Sequence, residues 1–379
     1  MVANPGVPIA RRGEASRWWN ARESGSSTYG CTPRPIRGRT MYFDFRDKPD
    51  RLCVKEMVHG YNISSCLFVA VELELADLLA AGPLALVDLA RRSGTDPDAL
   101  KRILRLLMSA GVFSVDEQDT CALTQRAEFL RRDHPDSIAS EVELFAGAET
   151  YLAWSGLLHC ARTGQTGFGQ YFGKSLFEYL AEHPDSAQRF HLGWHEISIR
   201  AGLETAEAVD FTDNRHVVDV GGGYGIVTAQ LLRTYDHLRG TIYDLEFSLA
   251  RAGHTLREYG VDERCGIVPG DGFTEVPGGG DVHLLKSVLH TMNDDDSVRV
   301  LTNCANALEP GGRILVLERV ISEDGGYVWG NVVDVAMLVM TGGRERTIQD
   351  YARLYERAGL GLTGSTLLPC GFSVIEGRK

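Results

Sequence analysis

Apolar residues change their spacing along the chain, and each change predicts a different kind of structure. Between about residues 53 and 110 they recur every three or four positions, the period of helices packed on one side. The most apolar predicted helix runs from Cys66 to Ala81, and shorter helices are predicted over residues 86–93 and 100–110. Apolar segments on both sides of the polar stretch Asp116–Thr120 predict a hairpin. Helix, turn, helix and hairpin in this order are typical of a winged helix, so we expect an all-α winged-helix domain over residues 41–137.

Residues 138–205 also have a helical pattern, but they are rich in aromatic side chains. Gly164–Gly173 is predicted to be a loop between two of these helices. Aromatic residues at helical spacing usually pack in a core, yet this helical, aromatic-rich linker before a ligand-binding domain also suits a lid over a planar substrate. The side chains expected to contact a substrate are Phe145, Trp154, Phe172 and Trp194 from this region, and Asn331, Asp334 and Met337 from a later one.

From residue 206 to residue 379 short apolar runs alternate with helical patterns. This alternation predicts an α/β fold with a Rossmann-like, doubly wound parallel sheet, preceded by the winged-helix domain. Open sheets of this kind bind ligands beyond the carboxyl ends of their strands. Residues directly after the predicted strands are therefore the candidates for binding and chemistry.

The first of these strands runs into a glycine loop within Val217–Gly225, before helical spacing resumes at Ile226. A dinucleotide-binding G-x-G-x-x-G fingerprint would need a glycine at position 226. The glycines stand instead at positions 221, 223 and 225, with Asp219 two residues ahead. This order resembles motif I of class I S-adenosylmethionine-dependent methyltransferases, in which the acid can face the ligand's amino group. A purely structural glycine loop is the alternative.

Two carboxylates follow later strands at positions where a nucleoside could bind. Asp244 can accept hydrogen bonds from both ribose hydroxyls, although an acid there can also cap a helix. Asp271 can accept from an adenine amino group, with Phe273 supplying apolar surface, although an acid is common in a Gly-Asp-Gly turn. The next strand leads to His290, whose imidazole titrates near neutrality and suits a general base that removes a phenolic proton.

Such a base normally needs a carboxylate to orient it. Glu318, at the end of the following strand, and Glu345, in a glycine-rich segment, are the two available partners, and the sequence leaves the choice open.

Taken together, these motifs resemble the S-adenosylmethionine-dependent O-methyltransferases of the plant caffeic acid and bacterial polyketide-tailoring type, over about residues 55–379. Besides the winged helix and glycine loop, the resemblance is carried by Gly270-Asp271-Gly272-Phe273, Leu285-Lys286-Ser287-Val288-Leu289-His290, Pro310-Gly311-Gly312 and Gly342-Gly343-Arg344-Glu345-Arg346-Thr347. It implies S-adenosylmethionine as cofactor and His290 as base, flanked by Glu318 and Glu345. The expected cofactor-binding positions are Asp219, Gly221, Gly223, Asp244, Leu245, Gly270, Asp271, Gly272, Phe273, Lys286 and Ser287.

The chain departs from this family after the base. The family usually continues His-Asp-Trp-(Asp/Asn)-Asp, whereas His290 is followed by Thr291-Met292-Asn293-Asp294. We expect methylation of a hydroxyl, phenolic in kind, on a small aromatic or polycyclic secondary metabolite. N-methylation, hydroxylation or a cofactor-assisted rearrangement on the same fold is the first alternative. A ligand-responsive winged-helix regulator is the second.

Charge and composition narrow the choice of partners. The net charge of −12 disfavours nucleic acid or an anionic membrane as the main partner. A candidate recognition helix carries three basic residues but begins Asp96-Pro97-Asp98, where phosphates would dock. No uncharged apolar stretch reaches about 18 residues, so we expect no membrane span. The apolar Cys66–Ala81 helix suits a surface shared between the subunits of a homodimer.

Two further features of the sequence are the cysteines and the first forty residues. The eight cysteines are scattered without metal-ligand spacing, which favours reduced thiols, a cytoplasmic location and no metal site. Residues 1–40 are rich in Pro, Gly, Ser and Arg without periodicity. They are predicted to be disordered, or to be translated upstream sequence with Met41 as the natural start.

Overall fold

The structure is a computed structural model that describes residues 48–321 and 329–379. The predicted disorder of residues 1–40 and the alternative start at Met41 lie outside these residues. The domain limits at 137/138 and 205/206 stay predictions.

The first region has the predicted winged-helix order. Its elements are α1 Asp50–Val58, α2 Gly60–Glu72, α3 Leu75–Leu79, β1 Leu84–Ala85, α4 Leu86–Ser93, α5 Pro97–Ser109, β2 Ser114–Val115, β3 Thr120–Ala122 and α6 Gln125–Glu128. β3 pairs with β1 on one side and with β2 on the other. The side chain of Asp96 accepts a hydrogen bond from the N–H of Ala99 and so caps α5. One face of α5 then buries Leu100, Leu104 and Leu107 in the core of this region.

The predicted continuous helix over Cys66–Ala81 was wrong, because the chain breaks between α2 and α3. Glu74 takes a left-handed conformation with φ 51°, which ends the first helix and reorients the second. The break lets Leu75 and Leu79 point into the core of their own chain. Large exposed apolar side chains lie earlier instead, at Leu52, Val54, Met57, Val58 and Tyr61.

The aromatic-rich region consists of α7 Ala139–Ala146, α8 Ala148–Trp154, α9 Leu157–Thr163, α10 Gly167–Phe172, α11 Leu176–Glu182 and α12 Pro184–Ala208. The predicted loop over Gly164–Gly173 was wrong, since it contains α10. Thr166 caps this helix through the N–H of Gly169. Gly167 lies so close to α8 that a Cβ would meet the carbonyl oxygen of Ala153 at 2.3 Å. Close helix packing therefore outweighs the poor helix propensity of the glycines.

The last region is a seven-stranded sheet with helices on both faces. Its elements are β4 His216–Val220, α13 Ile226–Thr234, β5 Arg239–Asp244, α14 Ala252–Glu258, β6 Cys265–Pro269, β7 Gly280–Lys286, α15 Asp294–Ala307, β8 Leu308–Glu318, α16 Trp329–Met340, α17 Ile348–Arg357, β9 Gly361–Leu367 and β10 Ser373–Arg378. The strand order is β6-β5-β4-β7-β8-β10-β9. The first five strands in this order, β6, β5, β4, β7 and β8, are parallel, as predicted. β10 is antiparallel to both of its neighbours.

The strand order reverses between β4 and β7, where open sheets bind their ligands. Apolar clusters on the two faces of the sheet cover both sides of β4, β7 and β8 and hold these strand ends in place. Within the described ranges, none of the helices has the length and apolar character needed to span a membrane.

Candidate active site

The glycine loop joins β4 to α13 and needs glycine at three positions. Gly221, Gly223 and Gly225 have φ of 75°, 53° and 77°, which glycine adopts without strain. A Cβ on Gly225 would also lie 2.1 Å from the side chain of Ile242. The spacing noted in the sequence therefore reflects both backbone conformation and close packing on β5.

Asp219 lies under this loop. Its Oδ2 accepts a hydrogen bond from the hydroxyl of Thr228 at 2.7 Å. Its Oδ1 is buried and has no hydrogen-bond partner among the described residues. Burial raises the pKa of Asp219 to about 6. This oxygen is an acceptor that the amino group of a bound ligand would satisfy.

Asp244 ends the neighbouring strand and faces the loop. Its carboxylate accepts hydrogen bonds from the N–H of Gly223 at 2.8 Å and of Leu245 at 2.7 Å. Burial raises its pKa in spite of these two bonds. Asp244 is not the cap of α14, whose N-cap is Arg251, although its bond to Leu245 holds the turn that follows β5. The structure thus brings Asp244 to the glycine loop, on the side where a ribose is expected.

The third acidic position is the Gly270–Phe273 turn after β6. Asp271 accepts a hydrogen bond from the N–H of Phe273 at 2.9 Å, and the carbonyl oxygen of Gly272 accepts one from Asn303. Phe273 is 37% exposed and offers an apolar face beside the carboxylate. Because β4, β5 and β6 are adjacent, the three acids lie at one edge of the sheet, each two residues further along its strand than the acid before it.

Lys286 and Ser287 end β7 on the other side of the glycine loop. Lys286 donates a hydrogen bond to Ser198 on α12 at 2.8 Å, and its Nζ lies 4.9 Å from the ring centroid of Trp194. Burial lowers the pKa of this amine to about 8. Ser287 has φ 56° and a buried hydroxyl without a hydrogen-bond partner in the described chain. Such strain at a strand end is typical of a binding site.

His290 lies in a short 3₁₀ turn after β7 and is 2% exposed. Its Nδ1 lies 2.7 Å from Oε1 of Glu345 and 3.4 Å from Oε2 of Glu318. Burial alone would lower the pKa of His290, but the two carboxylates outweigh it, so the net pKa is raised. Burial raises the pKa of Glu318 to about 7, with Glu345 adding to the rise.

The two carboxylates divide their contacts. Oε1 of Glu318 accepts from the backbone N–H groups of Val288 and His290, at 3.0 and 3.3 Å, and so holds the turn that carries the imidazole. Glu345 bonds the imidazole itself. The ligand atoms of the three side chains lie within 4.8 Å of one another, a donor set that a divalent cation can also use. The direct bond from His290 to Glu345 already occupies Nδ1 of the imidazole.

Arg346 fixes this turn, and sequence reasoning did not single it out. Its buried guanidinium donates to the carbonyl oxygens of Leu289 and Met292, at 2.8 and 2.9 Å, and forms an ion pair with Asp294 at 2.9 Å. It joins the segment that carries Glu345 to the loop that departs from the family pattern. The signal in the sequence was a basic residue directly after Glu345 in the Gly-Gly-Arg-Glu-Arg-Thr segment.

The expected substrate-contacting residues fall into three groups. Trp194 lies 6.0 Å from the ring of His290, and Phe145 lies 6.4 Å from Trp194, so these rings line up towards the imidazole. Phe172 packs in an aromatic core cluster that includes Phe168, Tyr179 and Trp154, rather than against His290.

The third group lies on α16. Asp334 accepts a hydrogen bond from the N–H of Glu345 at 2.9 Å, Met337 is buried, and Asn331 is exposed. Asp334 therefore holds the segment of Glu345, whereas contacts of these residues with a substrate stay predictions.

The residues present at the carboxyl edge fit S-adenosylmethionine. The unpartnered Oδ1 of Asp219 can accept from its amino group. The space over Gly223 is open: a Cβ there would meet nothing nearer than His191 at 3.9 Å and Asp244 at 4.0 Å. Phe273 supplies apolar surface for the adenine. His191 was not expected from the sequence; burial lowers its pKa to about 4, and its Nε2 has no partner among the described residues.

Known proteins resemble this chain over most of its length. A phenazine O-methyltransferase of Lysobacter antibioticus is 36% identical over 85% of this chain and 94% of its own. A 3-amino-4-hydroxybenzoate 4-O-methyltransferase of Streptomyces cremeus is 37% identical over 83% and 86%. The crystal structure of the O-methyltransferase NcsB1 from neocarzinostatin biosynthesis, with S-adenosylmethionine and 2-hydroxy-5-methyl naphthoic acid, is similar with a TM-score of 0.72 at 30% identity, covering 84% of this chain and 96% of its own.

Relatives with other reactions are also similar. A phenazine-1-carboxylate N-methyltransferase of Pseudomonas aeruginosa is 34% identical over 83% of this chain and 93% of its own. Aclacinomycin 10-hydroxylase RdmB of Streptomyces purpurascens is 36% identical over 82% and 86%.

Two family matches cover the chain in the predicted order. Residues 55–133 match the O-methyltransferase dimerisation domain, and residues 154–361 match the O-methyltransferase domain. The chain therefore belongs to the family of S-adenosylmethionine-dependent O-methyltransferases.

Proposed function

We propose that this enzyme methylates a phenolic hydroxyl of a small aromatic or polycyclic secondary metabolite, with His290 as general base. The observation that carries the proposal is the 2.7 Å contact between Nδ1 of His290 and Glu345 at the carboxyl end of β7. A base held by a carboxylate is what removal of a phenolic proton requires.

This contact assigns the two imidazole nitrogens. An ionised carboxylate accepts hydrogen bonds and donates none, so Nδ1 carries the proton and Nε2 keeps a free lone pair. Nε2 is then the atom that takes the proton of the substrate hydroxyl. Glu345 stabilises the positive charge that the imidazole gains, and Glu318 holds the backbone of the turn.

The remaining groups orient the two reactants. S-adenosylmethionine supplies a methyl group on a positively charged sulfur, which is already a strong electrophile. Asp219, Asp244 and Asp271 would hold its amino group, ribose and adenine at one edge of the sheet. Alignment of the phenolate oxygen with that methyl group is worth roughly 7–11 kcal/mol of the barrier. A base adds roughly 10²–10⁴-fold.

The aromatic character of the substrate rests on two supports. Trp194 and Phe145 form a line of rings that leads to His290. Two relatives named above act on phenazine and aminohydroxybenzoate compounds by their names, and the NcsB1 structure holds a naphthoic acid. A flat aromatic ring stacked near Trp194 would present its hydroxyl to the imidazole.

We test the proposal by incubating the protein with S-adenosylmethionine and a panel of phenols, with and without EDTA, and by reading products by mass spectrometry. A product heavier by one CH₂, formed equally in EDTA, is the expected result. Loss of turnover in EDTA, restored by a divalent cation, would assign the His290, Glu318 and Glu345 cluster to a metal instead.

A second candidate is another reaction at the same site. Thr291 and Met292 stand where the family usually has an acid and a tryptophan, and two relatives are an N-methyltransferase and a hydroxylase by their names. Mass spectrometry separates these outcomes. N-methylation appears with aromatic amines or ring nitrogens, and hydroxylation adds one oxygen without CH₂.

The assembly we propose is a homodimer formed through the first region. The match to a dimerisation domain covers residues 55–133. Five large apolar side chains are exposed in the ten residues from 52 to 61, namely Leu52, Val54, Met57, Val58 and Tyr61. A surface so apolar is typical of an interface.

A further inference from the structure

Arg319 directly follows Glu318 at the carboxyl end of β8. Its guanidinium lies on the ring of Phe372, with Cζ 4.4 Å from the ring centroid. Its Nη1 is buried without a hydrogen-bond partner, and no carboxylate of the described residues lies within 4.0 Å of the group. The buried Arg346, by contrast, is paired with Asp294. Arg319 is only partly buried, but a buried N–H donor without a partner is costly, so Nη1 is a group that a bound anion would satisfy.

A second, partly buried cation lies on the same aromatic ring. Nζ of Lys286 is 5.0 Å from the ring centroid of Phe372, and it too has no carboxylate within 4.0 Å in the described part of the chain. The charges of Arg319 and Lys286 both act on Glu141 of α7. Burial and the neighbouring Glu196 raise the pKa of Glu141 to about 7, so it is a poor counter-ion. Glu318 and Glu345 also act on Arg319, and Glu318 acts on Lys286, but none of the described carboxylates contacts either cation within 4.0 Å.

The strand order places Arg319 on the acceptor side of the site. The glycine loop, Asp244 and Asp271 follow β4, β5 and β6, whereas Arg319 follows β8, two strands beyond β4. β8 is two strand spacings, about 10 Å, from β4, and it is further still from β5 and β6. Because Glu318 contacts His290, the residue after it lies beside the base rather than beside the ribose and adenine.

The loop before β10 lies next to Arg319. Ser373 pairs with Glu318, so Phe372 and Gly371 lie at the same edge of the sheet as the base. A Cβ on Gly371 would lie 3.1 Å from Nη1 of Arg319. The absence of a side chain there leaves room around the guanidinium.

We propose that Arg319 binds a carboxylate of the aromatic substrate, so that the enzyme takes hydroxy-aromatic acids. The inference rests on the proposed function and names its substrate class. A guanidinium presents paired N–H donors that match a carboxylate, and Lys286 adds a second positive charge nearby. The methionine carboxylate of the cofactor has the same chemistry, and the experiment separates the two sources.

The experiment measures binding by calorimetry to protein saturated with S-adenosylhomocysteine. The probes are 1-hydroxy-2-naphthoate, 3-hydroxy-2-naphthoate and salicylate, each paired with its neutral carboxamide. We expect at least one acid to bind about 10-fold or more tightly than its amide. Arg319→Gln should remove that preference, and Arg319→Lys should restore only part of it. Arg200→Gln, which removes an exposed arginine paired with Asp136, should leave it unchanged.

Three results would overturn the assignment. One is a wild-type protein that binds no acid more tightly than its amide, which needs no variant. Another is an Arg319→Gln protein, folded by circular dichroism, that keeps the preference. The last is an Arg319→Gln protein that loses affinity for S-adenosylhomocysteine but not for the acids, which would give Arg319 to the cofactor. Binding is measured without turnover, so this test is independent of the methylation assay. A protein that methylates neutral phenols but binds no acid more tightly than its amide would refute this inference while supporting the proposed function.

Discussion

Nδ1 of His290 lies 2.7 Å from Oε1 of Glu345, although the two residues are 55 positions apart in the chain. Glu318 is 3.4 Å from the same nitrogen and also bonds the backbone of the turn. The imidazole is thus oriented by one carboxylate and supported by the other. This division of contacts makes separate predictions for the base and for its environment.

The first prediction concerns the base itself. His290→Ala should lower kcat roughly 10²–10⁴-fold, because it removes the proposed general base. The affinity for S-adenosylhomocysteine should stay near that of the wild type, since His290 is not among the expected cofactor-binding residues, most of which follow β4, β5 and β6. Residual turnover should rise with pH as the phenol ionises unaided.

The control is His254→Ala, which removes an exposed histidine paired with Glu258 on α14. It should keep full activity. A His290→Ala protein that turns over at nearly the wild-type rate at neutral pH would leave catalysis to alignment alone.

The second prediction is a pH profile. Burial lowers the pKa of His290, but Glu318 and Glu345 raise it by a larger amount. The net pKa is therefore above the ordinary 6.5. In the proposed mechanism the neutral imidazole is the active form, so kcat should fall as the pH drops through this raised pKa. Glu345→Gln removes one negative charge and should move the acid limb to lower pH. An acid limb that does not move in this variant would contradict the assignment.

The same raised pKa has a consequence for stability. The folded protein holds the proton of His290 more tightly than the unfolded chain, so this stabilisation is fully present below the unfolded pKa. It is lost as the pH rises through the folded pKa. Chemical denaturation at several pH values should therefore show a smaller pH dependence in His290→Ala.

Periodicity and position explain what could be predicted from the sequence. Alternation of apolar runs and helical patterns indicated the parallel strands, and residues after strand ends indicated Asp244, Asp271 and His290. The break at Glu74 and the helix within Gly164–Gly173 were missed because local signals pointed the other way and packing decided.

Other features depend on partners that are distant in sequence. Glu318 and Glu345 both flank the base, and only their distances show which of them bonds the imidazole. Arg346 reaches residues 49 to 57 positions away, so its contacts are invisible to local patterns. The role proposed for Arg319 rests on Nη1 having no partner among the described residues, which a sequence does not record.

The third prediction concerns the cofactor. Asp244→Ala should weaken binding of S-adenosylhomocysteine about 10- to 100-fold, because ribose hydroxyls lose a charged acceptor. The loop also loses the bond from Gly223, so thermal denaturation must accompany the titration. Asp262→Ala, at a turn before β6, is the matched control. Unchanged affinity in a folded Asp244→Ala protein would remove this residue from the site.

The fourth prediction concerns Arg346. Arg346→Met should lower the free energy of unfolding by about 3 kcal/mol, because it leaves buried carbonyl oxygens and Asp294 without their partner. The turn that carries His290 should then be less well held, so kcat should fall more than the affinity for S-adenosylhomocysteine. Arg353→Met, on an exposed face of α17, should change neither quantity. Equal losses in kcat and cofactor affinity would show that the whole site has been disturbed.

The last prediction tests the assembly. Val54 and Val58 lie one helical turn apart on α1, and both are more than half exposed. Two charges placed there would have to be buried against the partner subunit, so Val54→Glu with Val58→Glu should convert a dimer to a monomer. Light scattering coupled to gel filtration measures the mass directly, against 41.6 kDa for one chain. Leu367→Glu, on the exposed edge strand β9, is the control and should remain dimeric. A wild-type protein that is monomeric at micromolar concentration would refute the proposed homodimer, and a dimeric double variant would place the interface away from α1.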